Sequence, residues 1–251
     1  MPRGEISRHQ FQSQIFTGTA RDYWLYVPSQ YTPEQPAALM VFQDGHLYVD
    51  EDGPFRAPVV FDNLIHQRQM PVTLGLFINP GHSGKSQPDT PFQSDNRSYE
   101  YDSLTEKYSR FIIEEMIPEL GKTHRVSPDP KKRAIAGLSS GGICAFTVAW
   151  QRPDCFHKVM SHVGSFTDIR GGHNYPFYIR QWAKRDIKVF LQSGTNDLDT
   201  QFGNWWLGNL QMKSAFEFRK YDHRFVGGEG GHDGEHGGAI LPDSLRWLWG
   251  Q

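Results

Sequence analysis

An α/β fold with a mostly parallel central sheet and helices on both faces is predicted by two features of the sequence. Short, continuous apolar runs, AALMVFQ at 37–43 and LGLFI at 74–78, stop abruptly at Asp44-Gly45 and Asn79-Pro80-Gly81. Runs of that length, bounded by turn residues, are buried strands of the kind found inside a parallel sheet. They alternate with segments of helical spacing, which implies parallel strands joined by crossover helices. The 251 residues suit a single domain over residues 1–251, large enough to bury about three quarters of its unfolded surface.

The elements follow in order. Residues 22–27 (DYWLYV) read as an early edge strand ended by Pro28, and residues 59–69 carry apolar positions at helical spacing. After the strand at 74–78 comes a long polar loop, residues 82–99, and loops of that length in compact domains are usually functional or disordered. Residues 104–120 form a helix with an apolar stripe through Tyr108, Phe111, Ile112, Met116 and Leu120. Gly121 suits its end, and Pro118 disturbs its last turn. A short strand at 133–136, a glycine-rich turn at 137–142 and a helix at 143–150 come next. Strands at 158–163 and 187–192, a helix at 206–216, an extended stretch at 217–222 and a final helix at 244–249 complete the chain.

Bulk properties narrow the function. A formal charge of −2 provides no field for nucleic acid or an anionic membrane, and KKR at 131–133 is too short to supply one. No apolar run reaches the roughly 20 residues a membrane span needs. The N-terminus, MPRGEISRHQ, has no signal-peptide core. The expected compartment is the cytoplasm, or the periplasm or exterior if a signal was removed. Two cysteines, Cys144 in an apolar run and Cys155 at a helix end, are too few for a disulfide framework.

The chemistry centres on IAGLSSGG at 135–142, which contains G-x-S-x-G as Gly137-Leu138-Ser139-Ser140-Gly141. The pentapeptide alone is weak, but here it separates an apolar strand from an apolar helix, as a nucleophile elbow requires. The glycines remove side chains that would collide in the tight turn, and the helix aims its first N–H groups at a developing oxyanion. A serine hydroxyl needs a base, and the base an orienting acid, in the chain order Ser, Asp or Glu, His. The strand at 187–192 runs into SGTNDLD, which offers Asp197, with Asp199 as the alternative. The base belongs on a late loop. There VGGEGGHDGEHGG, residues 226–238, presents His232 after a Gly-Gly pair, with His236 as the alternative and His223 a poorer fit in an extended stretch.

A metal reading of His232 and His236 fails on two grounds. The glutamate of H-E-x-x-H is out of place, and the glycines oppose the helix that would align both rings. No metal and no cofactor is implied. The loop after the first central strand, Gln43-Asp44-Gly45-His46, offers the His46 N–H as a second oxyanion donor beside that of Ser140. Gln43 and Asp44 on that loop, and Trp205 and Trp206 beyond the acid, are candidate substrate contacts. One tryptophan would stack on a sugar or aromatic group while the other packs inward, or both belong to the core. Phe92 in the polar loop is a candidate pocket wall.

Together VFQDGHLY, NRSYEYD, IAGLSSGG, SGTND and GGHD resemble the esterase family of α/β-hydrolases that includes enterochelin esterases, S-formylglutathione hydrolases, family 1 carbohydrate esterases and mycolyltransferases. The resemblance runs from about Arg21 to Trp249. It implies an α/β-hydrolase fold, Ser139 as nucleophile, Asp197 as acid and His232 as base, with His46 matching the second oxyanion donor of the mycolyltransferases. Arg97, Glu100 and Tyr101 match a family motif read as structural. The N-terminal domain of enterochelin esterases is not visible, which weighs against siderophore hydrolysis as the specific assignment. The implied substrate is a small-molecule or glycan ester, carbohydrate-linked, aromatic or siderophore-type. The alternatives are acyl transfer, a lactonase, or a hydrolase-fold binding module without activity.

Overall fold

A computed structural model describes residues 2–84 and 88–250. The strands are β1 (Glu5–Gln12), β2 (Ala20–Val27), β3 (Ala38–Gln43), β4 (Thr73–Ile78), β5 (Arg133–Leu138), β6 (Lys158–His162), β7 (Lys188–Gly194), β8 (Asp199–Thr200), β9 (Gly203–Asn204) and β10 (Asp222–Gly228). The helices are α1 (Gly45–Val49), α2 (Ala57–His66), α3 (Arg97–Tyr101), α4 (Lys107–Arg110), α5 (Ile117–Gly121), α6 (Ser140–Gln151), α7 (Tyr175–Gln181), α8 (Trp205–Arg219), α9 (Glu235–Ala239) and α10 (Leu241–Trp249).

Among the described residues, eight strands make one sheet in the order β1-β2-β4-β3-β5-β6-β7-β10, and β8 and β9 form a separate small ribbon. β1 and β2 run antiparallel to their neighbours, and the remaining pairs are parallel. This is the α/β-hydrolase architecture. The period-two alternation of a strand decides which face each residue serves. In β3, Leu39 and Val41 join a core with Phe111, Ile143, Phe146 and Met212. Met40 and Phe42 join the opposite core with Tyr48, Phe61 and Leu245. Both faces are covered, so the central strands read as unbroken apolar runs.

Three expectations are corrected. The strand at 22–27 is not at the edge, because β1 pairs with β2 from Glu5↔Val27 to Gln12↔Ala20. β1 is almost wholly exposed, so it has no apolar period to betray it and is held by backbone bonds. The stretch at 217–222 is not a strand: α8 continues to Arg219, and β10 starts at Asp222. The helix at 104–120 is α4 and α5 joined by a wider π turn at Phe111–Met116. Pro118 has no N–H for the carbonyl four residues earlier, so the regular ladder cannot run through it. Helices α3 and α7 also lie outside the sequence-based assignment; α7 carries Pro176 in its first turn inside an aromatic-rich run.

One buried ion pair ties the early strands to α3. The Arg21 guanidinium donates to both Glu100 oxygens at 2.5 and 3.0 Å, and both side chains are fully buried. Thr19 Oγ1 accepts from Arg21 at 2.9 Å and Asn96 Nδ2 donates to Glu100 at 2.6 Å. The Phe111 ring lies 4.2 Å from the guanidinium. Removing one charge of such a pair strands the other in a medium that cannot solvate it. Glu100→Gln should therefore lower the unfolding free energy in urea by about 3–5 kcal/mol; a loss below roughly 1 kcal/mol would match an exposed pair instead.

Candidate active site

The carboxyl ends of the parallel strands bring the site together. Ser139 follows β5 and begins α6 with φ 58 and ψ −122, a conformation a residue with a Cβ avoids. The elbow leaves no room for side chains around it: a Cβ on Gly137 would come 2.2 Å from Gly141 O, and one on Gly142 would come 2.5 Å from Ser161 Oγ. The Ser139 N–H donates to His162 O at 2.9 Å, and its carbonyl accepts from Gly142 at 2.9 Å and Ile143 at 3.2 Å. Ser140 is the first residue of α6, where a backbone N–H has no acceptor within the helix.

Asp197, in the turn after β7, and His232, in the loop after β10, meet at this serine. His232 Nδ1 lies 2.6 Å from Asp197 Oδ1, and His232 Nε2 lies 2.8 Å from Ser139 Oγ. The Asp197 carboxylate is fully enclosed, while the imidazole and Ser139 stay partly exposed. Ser193 Oγ donates to Asp197 Oδ2 at 3.0 Å and the Leu198 N–H to Oδ1 at 2.8 Å. A carboxylate only accepts, so the hydrogen on Nδ1 faces Asp197 and Nε2 is left to accept from the serine. This arrangement can deprotonate Ser139 during attack on an acyl carbon and return the proton to a departing group.

The glycine-rich loop works through space. None of its seven glycines has positive φ. A Cβ on Gly194, at the end of β7, would come 1.9 Å from Gly230 O, and one on Gly238 would come 2.1 Å from Pro54 O. His236, the alternative base, has Nδ1 3.2 Å from Gln192 Nε2 and its ring against Gly228. His223 lies near the start of β10, with Nδ1 3.0 Å from the Tyr221 carbonyl. Asp199, the alternative acid, is exposed in β8. His232 and His236 thus face different partners.

Other expected contacts lie elsewhere. Gln43 and Asp44 are fully buried and offer a ligand no surface. Asp44, at φ 52, is gripped by Arg97 through Nε at 2.9 Å and Nη2 at 2.7 Å. Its N–H donates to Tyr101 Oη at 3.2 Å. Arg97 and Tyr101 therefore fasten the turn after β3, while Glu100 binds Arg21 of β2. The His46 N–H donates to Asn79 Oδ1 at 3.1 Å, so as an oxyanion donor it would exchange that partner. Phe92 packs edge-on against His46 with centroids 4.8 Å apart; residues 85–87 of the polar loop lie outside the described residues. Trp205 is turned inward, 3% exposed, with its ring 5.8 Å from that of His232. Trp206 packs on Phe225 at 5.7 Å and covers Gly227 of β10. Neither Ser165 nor Ser193 was a site candidate from the sequence: Ser193 opens SGTND, where the acid Asp197 draws the attention, and Ser165 belongs to no motif of recognisable spacing.

The sequence matches the family described as "Putative esterase" over residues 14–247. The chain belongs to this esterase family. It is 22% identical over 238 residues to an iron(III) enterobactin esterase of Escherichia coli O6:H1, covering 92% of this chain and 54% of that one; it thus spans about half the length of this relative. Among solved structures it is similar to an enterochelin esterase from Shigella flexneri, with a TM-score of 0.78 and 19% identity over 100% of this chain and 60% of the other. It is also similar to a ferulic acid esterase from the fungus Anaeromyces mucronatus, with a TM-score of 0.75 and 14% identity over 100% and 91% of the two chains. At these identities the structures show a shared fold. No helix among the described residues is long and apolar enough to cross a membrane.

Behind the serine, His162 is fully buried with Nδ1 2.9 Å from Tyr48 Oη. Burial first, and the neighbouring His236 second, lower its pKa to about 3. An unfolded histidine binds its proton near pH 6.5, so between these values the unfolded chain holds more protons. The stability at stake is intact above pH 6.5 and is lost as pH falls, by about 1.4 kcal/mol per unit. Urea unfolding should show a drop from pH 7 to pH 5 that is about 2 kcal/mol smaller in His162→Gln than in the native chain. An equal drop in both would rule out a buried neutral imidazole.

Proposed function

We propose that this protein is a serine carboxylic-ester hydrolase that works through an acyl-enzyme. The observation that carries the reading is the bridge His232 makes between Ser139 Oγ at 2.8 Å and Asp197 Oδ1 at 2.6 Å. Membership of the esterase family supports it.

In the proposed cycle His232 Nε2 takes the Ser139 proton as Oγ attacks the ester carbonyl. The Ser140 N–H, at the start of α6, stabilises the tetrahedral oxyanion. The second donor is the His46 N–H, released from Asn79. The alcohol leaves with the proton held by His232. Water, deprotonated by the same nitrogen, then attacks the acyl-enzyme, and Ser139 departs with that proton. Asp197 holds the ring in one tautomer throughout.

The proposed substrates are esters with a carbohydrate, aromatic or siderophore-type component. Two observations support this class. The relatives are named as esterases of enterobactin and ferulic acid. A cleft of about 560 Å³ adjoins His46 and Asn79, lined by Arg8, Gln10, Asp22 and Trp24, a mix of apolar ring and polar groups suited to hydroxylated rings.

The test is a panel of p-nitrophenyl acetate, feruloyl, acetylated-sugar, catecholate and lactone esters, compared by kcat/KM in native protein and Ser139→Ala. On the best substrate Ser139→Ala should lose on the order of 10⁴-fold or more in kcat. Retained activity in Ser139→Ala alongside loss in His236→Ala would overturn the assignment. Equal rates across the panel would overturn the substrate class.

A further inference from the structure

Ser165 lies in the turn after β6, remote from the triad in sequence but adjacent to it in space. Its side chain is buried, and its Oγ lies 3.2 Å from Ser139 Oγ and 3.1 Å from Trp205 Nε1. The turn that delivers it is held under strain. Val163 has φ 41, a genuine outlier for a β-branched residue that persists only when its surroundings enforce it. Here the Val163 N–H donates to Gln192 O at 2.7 Å and the Ser165 N–H to Ser139 O at 3.1 Å. The buried Asn209 amide donates to Gly164 O at 2.9 Å. A Cβ on Gly142 would come 3.0 Å from Gly164 Cα, so the backbone itself is pressed against the elbow.

The donor inventory gives these contacts one direction. An indole N–H only donates, so Ser165 Oγ accepts from Trp205. Ser139 gives its proton to His232 Nε2, because His232 Nδ1–H is committed to Asp197. The Ser165 hydroxyl proton then has Ser139 Oγ as its acceptor. The result is a single chain of donation from Trp205 through Ser165 and Ser139 to His232 and Asp197.

We propose that Ser165 is a further catalytic residue, donating a hydrogen bond to Ser139 Oγ, with Trp205 as the positioning residue that fixes the direction of that donation. The proposal rests on the serine-hydrolase reading. Ser139 Oγ carries partial negative charge twice. The first time, its proton passes to His232 as the Oγ–C bond forms. The second time, the Oγ–C bond of the acyl-enzyme breaks and the electron pair returns to Oγ before His232 reprotonates it. Ser165 keeps its own proton throughout and stabilises the charge on both occasions. A hydrogen bond to a charged oxygen is stronger than one to a neutral hydroxyl, so the contribution is larger in the transition states than at rest.

The experiment compares native protein, Ser165→Ala, Ser165→Thr and Trp205→Phe. Two readouts are used: burst and steady-state kinetics on p-nitrophenyl acetate, and the rate of covalent labelling of Ser139 by a fluorophosphonate, read by mass spectrometry. Ser165→Ala should slow labelling, burst and turnover by about 10- to 100-fold, with KM changed by less than about threefold, because both acyl-transfer steps slow together. Ser165→Thr, which keeps the hydroxyl, should recover most of the loss. Trp205→Phe, which keeps Ser165 but frees its hydroxyl, should fall between native and Ser165→Ala. Thermal melts report folding, and if Ser165→Ala is poorly folded the threonine and phenylalanine variants carry the decision. Rates within twofold of native in Ser165→Ala, or Ser165→Thr as slow as Ser165→Ala, would overturn the proposal. If native Ser139 is not labelled at all, the serine-hydrolase reading itself fails; if it is labelled equally fast in native and Ser165→Ala, only the role of Ser165 falls.

Discussion

The whole site depends on the backbone of Ser139 being held at φ 58 between β5 and α6. That conformation costs energy for a residue with a Cβ, and it lifts Oγ beyond the end of the sheet. It survives because the strand and helix press together through Gly137 and Gly142, where added side chains would come within 2.2 and 2.5 Å of neighbouring atoms. The Ser139 N–H and carbonyl are bonded to His162, Gly142 and Ile143, so relaxing the residue would break several hydrogen bonds at once. The strain is thus sustained by packing on both faces of the central strands, which are buried on each side.

Around that fixed point the other groups arrive on loops that are individually constrained. The turn after β7 carries Asp197, whose carboxylate is satisfied by Ser193, Leu198 and His232. The loop after β10 crosses so near Gly194 that a single methyl on that residue would meet Gly230 O at 1.9 Å. Its glycines therefore act by close approach rather than by unusual dihedrals, and they deliver one imidazole at a defined distance from Ser139. On the other side, Arg97 and Tyr101 hold the turn at Asp44, while Arg21 and Glu100 hold α3 to the sheet. Buried ion pairs of this sort contribute little net stability relative to apolar packing. Here they fix where a turn lies, which apolar contacts alone would do less sharply.

Most of the site was legible because its chemistry demands residue types in order. A G-x-S-x-G between apolar segments, an acid after a later strand and a histidine on the last loop are local signals, and Ser139, Asp197 and His232 carry them. The buried strands were legible for a related reason: AALMVFQ and LGLFI must be apolar on both faces. The edge strand β1 was not, since EISRHQFQ is mostly polar and exposed and is paired along its backbone ladder. Asp44 reads as a loop acid free to meet substrate, yet its partner Arg97 lies 53 positions away, a pairing only the fold discloses. Trp205 and Trp206 read as one stacking and one inward ring, or two core rings, and the sequence gives no sign that Trp205 is an inward donor to Ser165. Long-range side-chain pairing leaves no periodic trace, so residues defined by it stay hidden in one sequence.

The central claim is that Ser139 becomes covalently acylated and that the Asp197–His232 pair drives this. The most direct measurement is acid quenching of the protein within milliseconds of mixing with p-nitrophenyl acetate, followed by peptide mapping by mass spectrometry. One acetyl group on the peptide containing Ser139 is expected, mapped to Ser139 itself and strongly reduced in His232→Gln and Asp197→Asn. Turnover without an acylated peptide, acetyl on Ser140 or Ser165 instead, or acylation of Ser139 at native rate in both variants would contradict it.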